Sequence, residues 1–258
     1  MKPKKRFGQH FLRNRGAVEK IVAAVEPQPG EVIVEIGPGE GVLTEKLLEI
    51  APVIAIEIDR DLAPALKTRF GERLEVRNED ALEALLPQQP YRAVGNLPYN
   101  VGTPILRRVI ADEHWKRAVF MLQKEVADRL IAKPGEEDYG YLTLYTQVYA
   151  TAKRLMTLEP KSFYPPPKVR SAVVVLEPDR KPYASPELLD LLSTAFRMRR
   201  KTLVNNLMTI ASRDQVVDAL RSLGIDERIR AEELSLEQFE LVRKAVHHKD
   251  TKNTKKSL

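Results

Sequence analysis

Residues 95–99 read Gly95-Asn96-Leu97-Pro98-Tyr99, a stretch whose side chains and backbone suit an amine substrate. An asparagine side-chain carbonyl and the Leu97 backbone carbonyl, exposed where Pro98 forces an extended turn, can both accept hydrogen bonds from one amine. Tyr99 supplies a flat face on which a base can stack. An exocyclic adenine amine is a poor nucleophile because its lone pair is delocalised into the ring. Two acceptors draw its hydrogens out of the ring plane and return electron density to nitrogen. The constellation therefore suits methyl transfer from a sulfonium, which needs in-line placement rather than a general base with a tuned pKa.

Upstream, Val32-Ile33-Val34-Glu35-Ile36-Gly37-Pro38-Gly39-Glu40-Gly41 places a glycine-rich turn between a strand and a helix. Its G-x-G-x-G spacing has Val42 where a dinucleotide fingerprint requires a third glycine, and no G-K-[ST] follows, so a nicotinamide oxidoreductase and a P-loop are both disfavoured. Glu57 falls at the end of the next strand, where a carboxylate can accept from two ribose hydroxyls, and Asp80 at the end of the third, within reach of an adenine amine. Glu35 is placed to bind a cofactor amino group or to hold the loop. Singly, each of these is more often a plain turn or a helix cap. In series at successive strand ends they outline an adenosine pocket.

The elements that must position these groups alternate as in a doubly wound α/β domain. Strands are predicted at Val32–Ile36, Val53–Ile58, Leu74–Arg77, Arg92–Gly95 and Ala118–Leu122, with helices at Gly41–Ile50 and Leu62–Phe70. Strands rich in Val and Ile without strict alternation fit a parallel sheet buried on both faces. Residues 132–140 read as a surface loop, Tyr141–Ala150 as a helix, and Arg154–Leu158 and Ala172–Leu176 as strands joined through the extended Tyr164-Pro165-Pro166-Pro167-Lys168. Beyond Pro178 the pattern is helical. Ser185-Pro186 starts a helix with the stripe Leu188, Leu189, Leu192 and Phe196, while Ser212/Gln215 and Ser235/Gln238 have capping-box spacing. The division expected is a basic segment 1–15, an α/β domain 16–180, a small all-helical domain 181–248 and a disordered tail 249–258.

Charge is distributed unevenly along the 258 residues, whose net charge is +6. Residues 1–15 carry six basic side chains and no acid, and residues 247–258 four Lys against one Asp. Residues 16–159 hold 17 basic and 23 acidic side chains, and residues 160–246 hold 15 and 12. Such a split suits an acidic body binding a small cationic or neutral ligand, with basic ends meeting a polyanion; ordinary solvated surface charge explains it equally well. The absence of cysteine excludes disulfides and thiolate catalysis, and four His leave little for a metal site. No run is apolar enough to span a membrane and the N-terminus lacks the apolar core of a secretory signal, so a cytoplasmic, metal-free protein is expected. No exposed apolar stripe demands a partner, which favours a monomer.

Taken together, Arg6-Phe7-Gly8-Gln9-His10-Phe11-Leu12, Glu35-Ile36-Gly37-Pro38-Gly39, Glu57-Ile58-Asp59, Asp80-Ala81, Asn96-Leu97-Pro98-Tyr99, Met121–Glu125, Phe163–Ser171 and Phe196–Asn205 resemble, in order and spacing, the ribosomal RNA adenine N6-dimethyltransferase family. The match runs from Lys5 to about Leu207 and is nearest to the type that dimethylates two adjacent adenosines near the 3′ end of small-subunit (16S) rRNA. The resemblance implies a Rossmann-like class I methyltransferase domain with S-adenosylmethionine against His10, Leu12, Gly37, Glu57, Asp80 and Asn96. Many relatives carry Asn at the position of His10, so contact there is by backbone or imidazole. It further implies that Asn96 and Leu97 hold the target amine, that Pro98 shapes the turn and that Tyr99 stacks on the base. Phe163 either covers the other face of the base or is a core aromatic. Lys4, Lys5, Arg6, Arg197, Arg199, Arg200 and Lys201 would grip phosphates around a flipped adenosine, although successive helical positions cannot all face one way. The erythromycin-resistance type, acting on large-subunit RNA, is the enzymatic rival, and a non-catalytic ribosome-assembly factor the rival from another class.

Overall fold

A computed structural model of the chain describes residue 4 and residues 9–254, with side chains described to residue 246. In chain order the elements are β1 (Phe11–Leu12), α1 (Arg15–Val25), β2 (Val32–Ile36), α2 (Val42–Leu47), β3 (Val53–Ile56), α3 (Leu62–Phe70), β4 (Leu74–Arg77), β5 (Tyr91–Asn96), α4 (Gly102–Ala111), β6 (Trp115–Gln123), α5 (Lys124–Ile131), α6 (Tyr141–Tyr149), β7 (Ala150–Leu158), β8 (Phe163–Tyr164), β9 (Ser171–Pro178), α7 (Pro186–Ala195), α8 (Leu203–Leu207), α9 (Arg213–Ser222) and α10 (Leu236–Thr254). They form two compact units.

The first unit, up to Asp128 together with Ala150–Pro178, is built on a seven-stranded sheet of order β4-β3-β2-β5-β6-β9-β7. Five strands are parallel, and β9 and β7 add antiparallel at one side. The parallel order expected for the first five strands holds, and the two later strands, given no direction from sequence, extend it: β7 follows α5 and α6 and runs in the same sense as β6, and β9 inserts antiparallel between them. β2 and β5 are buried along almost their whole length, as a sheet covered on both faces requires. Gly95 is needed where these strands meet, because a Cβ there would lie 2.4 Å from the Ile36 carbonyl oxygen. The chain winds outward from β2 through β3 to β4, then returns to continue through β5 and β6 on the other side. That reversal opens a crevice beyond the carboxyl ends of β2 and β5.

α1 is bounded by Asn14, whose side chain accepts from the Ala17 N–H at 3.0 Å, and packs Val18, Ile21 and Val25 into the core. β3 ends at Ile56, so Glu57, Ile58 and Asp59 belong to the following loop rather than to the strand. The two-stranded β1–β8 pairing brings Leu12 opposite Phe163.

The second unit comprises Arg129–Tyr149 and the chain from Asp179 onward. Residues 129–149 belong here, which corrects the division drawn at residue 180. Their apolar side chains Tyr139, Leu144 and Val148 bury among Leu192, Leu207 and Phe239 rather than on the sheet. The Tyr139 hydroxyl donates to the Leu234 carbonyl at 2.8 Å and the Gly135 N–H to Glu232 at 2.8 Å. The predicted caps Ser185 and Ser212 start α7 and α9, the latter with a full capping box. α10 continues to Thr254, into the segment expected to be disordered, and residues 255–258 lie outside the described residues. No helix among the described residues is long and apolar enough to cross a membrane.

Candidate active site

One cleft of the first unit is lined by the loop after β2, the ends of β3, β4 and β5, and residues 9–12. The loop is drawn tight against β1. Gly39 has φ +59°, and a Cβ there would meet the Phe11 ring at 3.0 Å. Its N–H donates to Glu57 Oε2 at 3.1 Å, and the Asp59 N–H donates to Oε1 at 2.9 Å. Burial pushes the Glu57 carboxyl up, and these backbone donors partly offset that. The Ile58 N–H is a third backbone donor, and the carboxylate keeps acceptor capacity for a ribose hydroxyl beyond these three. Beside it Ile58 is 44% exposed and presents an apolar face to the cleft. Asp80 spends Oδ1 on the Leu82 N–H at 2.9 Å, capping the turn after β4.

Glu35 is buried at the end of β2 and accepts from the Thr44 hydroxyl at 2.6 Å. Burial pushes its carboxyl up to about 7, and the nearby Glu57 charge acts in the same direction against the Thr44 hydrogen bond.

At the end of β5, Asn96 Nδ2 donates to the His10 carbonyl at 2.7 Å. With the amide nitrogen committed, Oδ1 is the end of the side chain left to accept. The Leu97 N–H bonds the Met121 carbonyl at 3.0 Å and its side chain is buried, which anchors the tetrapeptide to β6. The Tyr99 hydroxyl meets Ser171 Oγ at 2.8 Å, and burial pushes the phenol up, so it stays neutral. The His10 ring lies 5.6 Å from the Tyr99 ring at 30°. Its Nδ1 donates to the Pro165 carbonyl at 2.7 Å, since a carbonyl can only accept.

His10, Leu12, Gly37, Glu57, Asp80, Asn96, Leu97, Pro98 and Tyr99 therefore converge on one cleft. Comparison with known proteins bears on what such a cleft is for. The family model for ribosomal RNA adenine dimethylase matches residues 1–247. The chain belongs to the ribosomal RNA adenine dimethylase family. Within it, the chain is 45% identical over 256 residues to ribosomal RNA small subunit methyltransferase A of Laribacter hongkongensis, covering 93% of this chain and 94% of that one. Identity to the protein of the same name from Hahella chejuensis is 43% over 254 residues, covering 92% and 90%. Among solved structures, a dimethyladenosine transferase from Plasmodium falciparum superposes with a TM-score of 0.81 at 29% identity, covering 90% of this chain and 96% of that chain. The 23S rRNA methyltransferase ErmE gives 0.74 at 26%, covering 92% and 99%.

As a ribosomal RNA adenine dimethylase the chain is an enzyme that uses S-adenosylmethionine, on a Rossmann-like α/β fold. The cleft fits that cofactor. The side chain missing at Gly39 leaves the loop flat against β1, Glu57 keeps acceptor capacity for a hydroxyl, and Ile58 offers an apolar face to a purine. Gln9, Phe11, Ile58, Val101 and Ile105 also line the cleft and were not singled out from sequence. Gln9, Phe11 and Ile58 lie within motifs that carry the family resemblance, whereas Val101 and Ile105 had no sequence signal.

Three expectations are corrected. Phe163 does not line the cleft; it is 4% exposed and belongs to the core with Leu12, Met121 and Val173. Lys4 does not present its charge to phosphate, because its Nζ bonds Asp59 Oδ1 at 2.6 Å and Asp61 Oδ2 at 2.5 Å. Arg197, Arg199, Arg200 and Lys201 lie in the turn between α7 and α8 rather than on a helix, and all four are exposed. Buried Asn206 fixes that turn, accepting from the Met198 N–H and donating to its carbonyl, both at 3.2 Å. Arg199 donates to the Glu137 carbonyl at 2.5 Å. Lys5 and Arg6 lie outside the described residues.

Proposed function

We propose that this enzyme transfers methyl groups to N6 of two adjacent adenosines near the 3′ end of 16S rRNA, in the small ribosomal subunit or its precursor. The observation that carries the reading is the Asn96 amide, turned by the His10 carbonyl so that Oδ1 is the free acceptor in a cleft suited to adenosine. S-adenosylmethionine supplies an electrophilic methyl group when bound. Glu57 accepts from a ribose hydroxyl and Asp80 from an adenine amine, while His10, Leu12 and Gly37 complete the cofactor wall. Asn96 Oδ1 and the Leu97 carbonyl accept the two hydrogens of the target amine and bring its lone pair out of conjugation. Pro98 holds the turn that presents both acceptors. Tyr99, its ring oriented by Ser171 and His10, stacks on the flipped base. The exposed Arg197, Arg200 and Lys201 reach phosphates, and Arg199 braces their turn. The enzyme works as a monomer in the cytoplasm, the first unit carrying the chemistry and the helical unit docking the particle.

Mass spectrometry of nucleosides from unmethylated small subunits incubated with the protein and S-adenosylmethionine tests this. N6,N6-dimethyladenosine is the expected product. Product only on large-subunit RNA would assign the chain to the ErmE-like reaction, and binding to the particle without any product would leave an assembly factor.

A further inference from the structure

Asp59 is the residue of Glu57-Ile58-Asp59 that the methyl-transfer reading leaves unused, yet among the described residues its carboxylate accepts three hydrogen bonds. It is 1% exposed. Oδ1 accepts from Lys4 Nζ at 2.6 Å and from the Asp61 N–H at 3.0 Å, and Oδ2 accepts from Gln9 Nε2 at 2.9 Å. Gln9 Oε1 in turn accepts from the Lys4 N–H at 2.8 Å. Burial opposes the charge on Asp59, but the Lys4 ammonium, the Asp61 N–H and the Gln9 amide together hold its carboxyl below the ordinary range. Two of the three donors thus come from the N-terminal segment, and the anchor stands two residues from Glu57.

The same segment continues into the site. Gln9 is followed by His10, whose carbonyl holds the Asn96 amide at 2.7 Å and whose ring is tied to Pro165. Phe11 then packs over Gly39, and the Arg13 guanidinium pairs with Glu40 at 2.7 Å. We propose that Asp59 is a positioning residue, which through Gln9 and Lys4 straps residues 9–12 across the cofactor cleft and so sets the His10 carbonyl that orients Asn96. Loss of the strap opens one wall of the cleft and frees the Asn96 amide to rotate, so cofactor affinity and turnover fall together. The inference rests on the methyl-transfer reading of Asn96.

The full-length protein carrying Gln9→Leu or Lys4→Met tests it, with Asp59→Asn as a third variant and Lys4→Arg as the conservative control. Three quantities are measured: S-adenosylhomocysteine affinity by calorimetry, hydrogen exchange of the residue 9–12 amides without cofactor, and kcat on unmethylated subunits. Gln9→Leu and Lys4→Met are expected to weaken S-adenosylhomocysteine about tenfold, the worth of a hydrogen bond to a charged group. Faster exchange at residues 9–12 and a lower kcat with unchanged KM for RNA accompany this, and Lys4→Arg restores all three. Affinity within about twofold of wild type and unchanged exchange in both variants would overturn the proposal, whatever Asp59→Asn does to folding. Failure of the wild type to bind S-adenosylhomocysteine would overturn the methyl-transfer reading instead, while exchange at residues 9–12 would still decide the strap.

Discussion

The His10 carbonyl takes an Asn96 amide hydrogen and thereby fixes which end of the side chain is left to accept, so its truncation separates chemistry from docking. Asn96→Ala is expected to lower the single-turnover methylation rate by about 100-fold or more, as loss of an aimed hydrogen-bonding group does. Affinity for unmethylated small subunits should stay within about twofold, measured by filter binding. An equal fall in both would place Asn96 in the docking surface. Glu35 offers a test by pH. Its folded-state pKa of about 7 stands above the unfolded value of 4.5, so the stability it contributes is complete below pH 4.5 and is lost as pH rises through 7. Glu35→Gln keeps an acceptor for Thr44 and removes the titration. Urea unfolding should find the variant close to wild type at acid pH and more stable at pH 8 by a few kcal/mol. A constant difference across that range would mean that Glu35 does not titrate. Both residues were recognisable in sequence as strand-end polar groups, but the amide orientation and the depth of burial depend on residues remote in the chain.

At the scale of elements, the glycine-rich loop works by what it lacks. Gly39→Ala combines a left-handed backbone with a Cβ 3.0 Å from Phe11, whereas Gly135→Ala has φ +86° and meets nothing within 4 Å. The Gly135 variant should lose only the backbone term, about 1–2 kcal/mol, with S-adenosylhomocysteine affinity unchanged. The Gly39 variant should lose at least as much stability and also bind the cofactor product more weakly, because Phe11 must move from the cleft wall. Thermal melts and calorimetry on the pair decide this, and equal cofactor binding would remove the role given to the Gly39–Phe11 contact. The loop was legible because its glycines act within a few residues. The turn at residues 197–201 was not, since its shape depends on buried Asn206 holding both backbone groups of Met198.

For the whole molecule, the relevant quantity is how charge is presented rather than its sum. Of the basic groups expected to meet RNA, Lys4 is committed to Asp59 and Asp61, while the residue 197–201 turn stands exposed on the helical unit. Replacing Arg197, Arg200 and Lys201 by Ala should weaken subunit binding and reduce the slope of log K against log salt by about 2, the release expected when two or three phosphate contacts are lost. S-adenosylhomocysteine affinity should not change, since none of the three lines the cofactor cleft. Binding measured over a salt series checks both statements, and an unaltered slope would move the RNA contacts elsewhere.

Short-range patterns were enough to specify the parallel strands β2 to β6, the glycine loop, Glu57 and Asp80 in the loops that follow β3 and β4, and the caps of α7 and α9. Hydrophobic periodicity, glycine conformation and side-chain capping all act over a few residues, so they can be read along the chain. Tertiary structure alone decided that β9 and β7 close the sheet antiparallel, that Phe163 is core and that residues 129–149 pack with the helical unit. It also decided that Lys4 serves Asp59 and that the Asn96 amide faces as it does. Each of these is set by a partner far away in sequence, through burial or a single hydrogen bond, and a linear pattern holds no record of which distant group will claim which atom.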